Sequence, residues 1–182
     1  MKKIISVFQR NYTTDRLIRD EVVPGAEWVL AGEGVATRKY DGSCCMVKDS
    51  ELFKRYDAKK GKQPPVGFIP AQDPDSATGH WPGWVRVGNG PEDQWFRKAW
   101  ENLAVTPSDG TFEAIGPHFQ GNTESMLFDQ LVHHGDVELL DCPRTFEGIR
   151  EYLRELDIEG IVFHHPDGRM AKVKKSDYGM KR

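Results

Sequence analysis

The sequence predicts an α+β fold in which antiparallel sheets carry helices on their outer side. Three observations lead to it. Residues 43–56 read as two apolar-rich strands around the turn pair Asp49-Ser50. Residues 158–174 read as a second hairpin, closed by His165-Pro166-Asp167-Gly168. Two stretches, 91–103 and 145–156, place apolar residues at helical spacing. A chain of 182 residues is long enough for one domain with a real core. A hydrophobic fraction of 38%, with 11 Pro and 18 Gly, leaves much of it to loops.

Along the chain, residues 13–23 read as a short helix, with Thr13, Thr14 or Asp15 as cap and Pro24-Gly25 as stop. Trp28-Val29-Leu30 and residues 34–38 read as two short strands split by Gly32-Glu33-Gly34. Residues 43–48 and 52–56 form the first hairpin. Lys39 then falls between strands, at a turn opened by Asp41-Gly42. Residues 57–90 are rich in Lys, Pro, Gly and Asp with little periodicity, and read as a long loop of the functional or mobile kind. Pro91 suits the first turn of the helix that follows, with Trp95, Phe96, Ala99, Trp100 and Leu103 as its apolar stripe. Residues 110–116 are a strand, and 126–134 fit either strand or helix. Phe146, Ile149, Leu153 and Leu156 form one side of the second helix. Strands at 158–164 and 170–174 end the chain.

Composition narrows the function classes. No apolar run approaches membrane-span length. The amino terminus lacks the long apolar core and small-residue cleavage site of a signal peptide. Three Cys, two of them adjacent, make no disulfide framework, so reduced thiols and a cytoplasmic protein are expected. The paired histidines, His133-His134 and His164-His165, lack the spacing of a zinc signature. A net charge of −3 argues against a broad nucleic-acid surface. The positive charge is local, however. Lys54, Arg55, Lys59, Lys60 and Lys62 form one group, and Arg169, Lys172, Lys174, Lys175, Lys181 and Arg182 another. Such patches suit phosphate binding at one site, although a solvated charge run is the ordinary alternative.

The residue types support a particular chemistry. A nucleophilic lysine must be neutral, and its ordinary pKa is about 10.4. Burial and neighbouring cations lower that value. Lys39 is such a candidate, with Lys172 and Lys174 as the cations that would also neutralise a phosphate. Lys-x-Asp-Gly alone arises by chance in about one chain of this length in twenty-five. Glu113 stands in an otherwise apolar strand and either has a partner or faces solvent from a sheet edge. In the last hairpin, alternation puts Glu159, Ile161 and Phe163 on one face and Lys172 with Lys174 on one face of the partner strand. If register brings those faces together, a carboxylate and two ammonium groups share a pocket. Otherwise they form cross-strand surface pairs.

Taken in order, these residues resemble the covalent nucleotidyltransferase superfamily of ATP-dependent polynucleotide ligases and RNA capping enzymes, and its RNA ligase branch most. Lys39-Tyr40-Asp41-Gly42 matches motif I, whose lysine becomes adenylylated. Phe53-Lys54-Arg55-Tyr56 looks like motif Ia, Phe112-Glu113-Ala114 like motif III, Glu159-Gly160-Ile161-Val162 like motif IV, and Met170-Ala171-Lys172-Val173-Lys174 like motif V. The match runs from about Trp28 to the end of the chain. The resemblance implies a single nucleotidyltransferase (ATP-grasp-like) domain over residues 1–182 and ligation of RNA 3′-hydroxyl and 5′-phosphate ends through lysyl-AMP, as in RNA repair. It implies ATP and Mg²⁺ or Mn²⁺ as the small molecules bound. Lys39 is then the nucleophile. Asp41, Gly42, Arg55, Glu113, Lys172 and Lys174 bind nucleotide, with Glu113 on the ribose, and Glu159 serves the metal. Lys54, Lys59, Lys60 and Lys62, or Arg10, are candidates for RNA or pyrophosphate. Motif IIIa is unclear, with Leu131-Val132-His133-His134 the best stretch for it. With eight residues after Lys174, no OB domain is expected. GTP-dependent capping, DNA ligation and a non-catalytic nucleotide- or RNA-binding module are the alternatives.

Overall fold

The computed structural model describes residues 1–182. Its strands are β1 (Ile5–Ser6), β2 (Phe8–Arg10), β3 (Ile18–Val22), β4 (Val35–Lys39), β5 (Ser43–Lys48), β6 (Glu51–Ala58), β7 (Ile69–Pro70), β8 (Trp81–Arg86), β9 (Gly110–Ile115), β10 (Gln130–His133), β11 (Gly160–His164) and β12 (Met170–Lys174). Its α-helices are α1 (Glu27–Leu30), α2 (Gln94–Glu101) and α3 (Phe146–Glu155). The fold class is α+β, with sheets dominant. The chain forms two compact units. One comprises Ile4–Tyr40 and Gly135–Arg182, the other Met1–Lys3 and Asp41–His134. No helix is long and apolar enough to cross a membrane.

The first unit is built on a four-stranded sheet of order β1-β12-β11-β4 and a β2-β3 hairpin. The β11–β12 and β11–β4 pairs are antiparallel, while β1 joins β12 in parallel. One sheet face, with Ala36, Ile161, Phe163, Ala171 and Val173, packs on Ile149 and Leu153 of α3 and on Phe8 and Trp28. Thr145 starts α3 as its cap, accepting from the Gly148 N–H at 3.2 Å. Such a cap contributes about 1 kcal/mol.

The second unit is a six-stranded antiparallel sheet of order β10-β9-β5-β6-β8-β7. Cys45, Val47, Leu52, Phe112, Ala114 and Leu131 form its core with Ala99 of α2 and Phe119. The β5–β6 turn uses Asp49 and Ser50, both at positive φ (52° and 62°), which matches the strand twist of a tight hairpin.

Four expectations are corrected. Residues 13–23 do not form a helix. Arg16 adopts a φ of 61° and the Asp15 carboxylate accepts from the Leu17 N–H at 2.9 Å, so the polar residues make a turn that leads into β3. Trp28 and Val29 lie on the helical turn α1 rather than a strand. Both are buried, and adjacent residues on one strand would face opposite ways. Residues 57–90 are not one long loop, because β6 extends to Ala58 and pairs with β8, which pairs with β7. The run Trp81-Pro82-Gly83-Trp84 hides this strand from periodicity, since Pro82, Gly83 and Trp84 are all buried. Finally, Trp95 leaves the apolar stripe of α2. It is exposed and its ring stacks on His118, with centroids 3.3 Å apart.

Candidate functional site

In the four-stranded unit, register sets the cluster around Lys39. Gly160 of β11 lies opposite Lys39 of β4 on one side and Lys174 of β12 on the other. One pair further along, Val162 lies opposite Thr37 and Lys172. Residues opposite each other in an antiparallel ladder share a face. Lys39, Lys172 and Lys174 therefore project from the sheet face opposite the core. Gly160 makes the row possible, because a Cβ there would lie 2.3 Å from the Val173 carbonyl oxygen and 2.8 Å from the Lys174 Cα. No side chain stands between the two lysines.

This register corrects the expected parity. Lys172 and Lys174 share the face of Gly160 and Val162, whereas Ile161 and Phe163 turn into the core. Glu159 joins the lysines because it precedes β11 and escapes its alternation. Its carbonyl accepts from the Lys175 N–H at 2.9 Å, which fixes the backbone there. Its carboxylate pairs with Lys39 Nζ through one oxygen and lies 3.7 Å from Lys174 Nζ through the other. Lys39 Nζ also donates to the Tyr40 carbonyl at 3.2 Å. Burial first, then the charges of Lys39 and Lys174, hold the Lys172 ammonium below the usual lysine range, against the opposing pull of Glu159 and Asp177. Three ammonium groups thus gather on one face around one carboxylate. Asp177 is committed elsewhere. It accepts from the Lys174 N–H at 2.9 Å and pairs with Arg10, which removes Arg10 from the set of free cations.

The six-stranded unit holds the remaining candidates. Glu113 is buried on β9, between β10 and β5, so it is not an edge residue. Its carboxylate lies 2.8 Å from His134 Nε2, and His134 Nδ1 lies 3.0 Å from the Thr111 hydroxyl. Gly42 closes onto the same strand. A Cβ there would meet the Ala114 carbonyl oxygen at 2.2 Å and Glu113 Cγ at 2.9 Å. Asp41 is pinned by the loop after β9, with its N–H donating to Glu124 at 2.9 Å and its carboxylate accepting from the Thr123 hydroxyl at 3.1 Å. Arg55 donates to the Met1 carbonyl at 2.7 Å and lies over the Trp84 ring at 4.9 Å. Burial lowers its pKa, opposed by the charges of Cys44 and Asp57.

Lys54 pairs with the buried Asp93, and the Gly88 N–H donates to that same carboxylate at 2.7 Å. This is an internal tether for Lys54. Lys59, Lys60 and Lys62 are exposed. Phe112 packs in the core. The sequence reading missed His134 as the partner of Glu113, and also Thr123, Glu124 and Asp177. The one available signal was the rule that a buried carboxylate needs a partner.

No family model matches the chain. It is similar to RNA ligase 1 of Mus musculus, 26% identical over an alignment 220 positions long that covers 80% of this chain and 67% of that protein. RNA ligase 1 of Rattus norvegicus is 25% identical over an alignment of 228 positions with the same coverage, and that of Pongo abelii 25% over 224 positions. Similarity at this level supports an RNA ligase-like family for the chain.

Proposed function

We propose that this chain is an ATP-dependent RNA ligase with a nucleotidyltransferase fold, acting through Lys39. The observation that carries the reading is the row Lys39–Gly160–Lys174, with Lys172 one step along and Glu159 bound to Lys39. A face with three ammonium groups and one carboxylate has an excess of positive charge for an incoming phosphate. The similarity to proteins named RNA ligase 1 supports the same reading independently of the geometry.

In the proposed reaction, the Lys39 amine attacks the α-phosphorus of ATP. A phosphorus–nitrogen bond forms, the bond to the bridging oxygen breaks, and pyrophosphate leaves. The proton on Lys39 must go first, and Glu159, its ion-pair partner, is the nearest acceptor. Lys172 and Lys174 stabilise the charge that develops on the α-phosphate. An RNA 5′-phosphate oxygen then attacks the same phosphorus, and Lys39 leaves and regains a proton. Last, an RNA 3′-hydroxyl attacks the 5′-phosphorus of the activated end, and AMP departs with the electron pair. Glu113, with Asp41, Gly42 and Arg55, binds the nucleotide, Glu113 through a ribose hydroxyl.

Glu159 offers hard carboxylate oxygens, which fits Mg²⁺ or Mn²⁺ held by one carboxylate and waters. When bound, the ion neutralises phosphate charge. Exposed Lys59, Lys60 and Lys62 are available to RNA, whereas Lys54 is held by Asp93.

The test is labelling with α-labelled ATP and, separately, GTP in the presence of Mg²⁺. An alkali-stable, acid-labile adduct with ATP alone, lost in Lys39→Ala, is the expected result. An adduct with GTP alone would point to capping. No Lys39-dependent adduct with either nucleotide would leave a non-catalytic binding module. Sealing of nicked RNA but not nicked DNA then separates RNA from DNA ligation.

A further inference from the structure

Cys44, Glu113 and His134 form a second constellation, entirely within the six-stranded unit. Their ligand atoms all lie within 4.8 Å of one another. Register brings two of them together, because Cys44 of β5 and Glu113 of β9 are direct cross-strand partners. His134 follows β10, the strand on the other side of β9, and its backbone N–H donates to the Thr111 carbonyl at 3.0 Å. Three adjacent strands thus deliver a sulfur, an oxygen and a nitrogen to one point.

We propose that this trio is a binding site for a borderline-soft divalent ion of the zinc class. The donor types decide the class. Thiolate and imidazole favour Zn²⁺ or Co²⁺ over Mg²⁺, which takes oxygen. Tetrahedral ligands at ordinary zinc distances stand about 3.2–3.8 Å apart, so the three atoms need to shift by only about an ångström. A thiolate and a carboxylate together balance the charge of a dication. Thr111 supplies the outer contact that metal-binding histidines have. With the ring proton on Nδ1 and donated to the Thr111 hydroxyl, His134 Nε2 has its lone pair free for the ion. The Cys44 thiol proton passes to solvent on binding. Three protein donors leave a fourth position for water.

The site goes beyond the ligase reading and stands without it. One consequence does rest on that reading. If Glu113 also holds the ribose, metal and nucleotide compete for the same carboxylate.

The probe is Co²⁺ alone, titrated into reduced, metal-free full-length protein. One equivalent should produce a thiolate-to-cobalt charge-transfer band in the near ultraviolet with intense tetrahedral bands in the visible, and Zn²⁺ should erase both. Cys44→Ser should abolish the charge-transfer band, whereas Cys142→Ser, in the other unit, should keep it. Thr111→Val should weaken binding by about tenfold. Circular dichroism would verify that each variant is folded. Absence of the band in the wild type, or its persistence in Cys44→Ser, overturns the site. A final arm adds adenosine, which carries the ribose but no phosphates to chelate cobalt. Weakened cobalt binding supports the shared use of Glu113, and unchanged binding overturns that shared use while the site stands.

Discussion

Glu159 and Glu113 are the two carboxylates at the centre of the candidate chemistry, and the chain satisfies them in opposite ways. Glu159 lies among three lysines on long, flexible stems, pairing with Lys39 and Lys174 while Lys172 stands close by. Glu113 has a single imidazole, itself held by Thr111, and sits inside a sheet flanked by strands on both sides. The first arrangement has surplus positive charge and movable parts. The second has no surplus of cations and is stiff. An anion gains most from the first, because its arrival neutralises excess charge. The second suits a hydroxyl, or a cation that replaces the proton of the pair. What the two share is a glycine. Gly160 and Gly42 each let a neighbouring strand approach closer than a Cβ permits.

That shared device gives the largest expected effect. Gly160→Ala would drive a methyl group to 2.3 Å from a backbone oxygen, and Gly42→Ala to 2.2 Å from another. Backbone atoms in a ladder cannot swing aside as side-chain ends can, so each variant should lose about 3 kcal/mol in urea unfolding. A loss under about 0.5 kcal/mol would show that the strands can part, and the common feature would dissolve.

The next effect separates the two carboxylates. His134→Ala leaves Glu113 buried beside an unmatched site and should cost about 2 kcal/mol. Lys174→Ala removes a partly exposed cation at 3.7 Å while Lys39 still holds Glu159, and should cost under about 1 kcal/mol. Equal losses from the two variants would break the contrast between a stiff pair and a movable one.

How much of this was legible in the sequence varies by residue. Glu113 in an apolar strand and the hairpin at 158–174 were legible, because turn residues and apolar runs are local signals, whereas Lys39, expected between strands, is the last residue of β4 and pairs with Gly160. The face of the lysines was not. A displacement of one residue reverses every side chain in a strand, and Glu159 lies just outside β11, where alternation no longer applies. Cys44 and His134 were hidden for another reason. They are far apart in sequence and meet only because β9 lies between β5 and β10. The helix expected at 13–23 failed because Asp15 caps a turn as readily as a helix. β8 failed because three successive buried residues carry no period.

The smallest effect tests the surplus charge directly. Folding holds the Lys172 ammonium below its ordinary pKa of 10.5, by burial and then by Lys39 and Lys174. The unfolded chain therefore binds more protons than the folded one between the folded pKa and the ordinary value. Stability rises with pH across that window. Below the window the full cost of holding the charge is present, and above it the cost is gone. Lys172→Met removes this cost, so at neutral pH the variant should be more stable than the wild type, by under about 1 kcal/mol. The advantage should shrink as pH climbs toward about 11, where the wild-type lysine is itself neutral. Urea unfolding across that range measures it. A variant that is less stable at neutral pH, or whose advantage does not change with pH, would mean that Lys172 is held by favourable contacts rather than crowded by cations. The lysine face would then lack the surplus that distinguishes it from the single imidazole partner of Glu113.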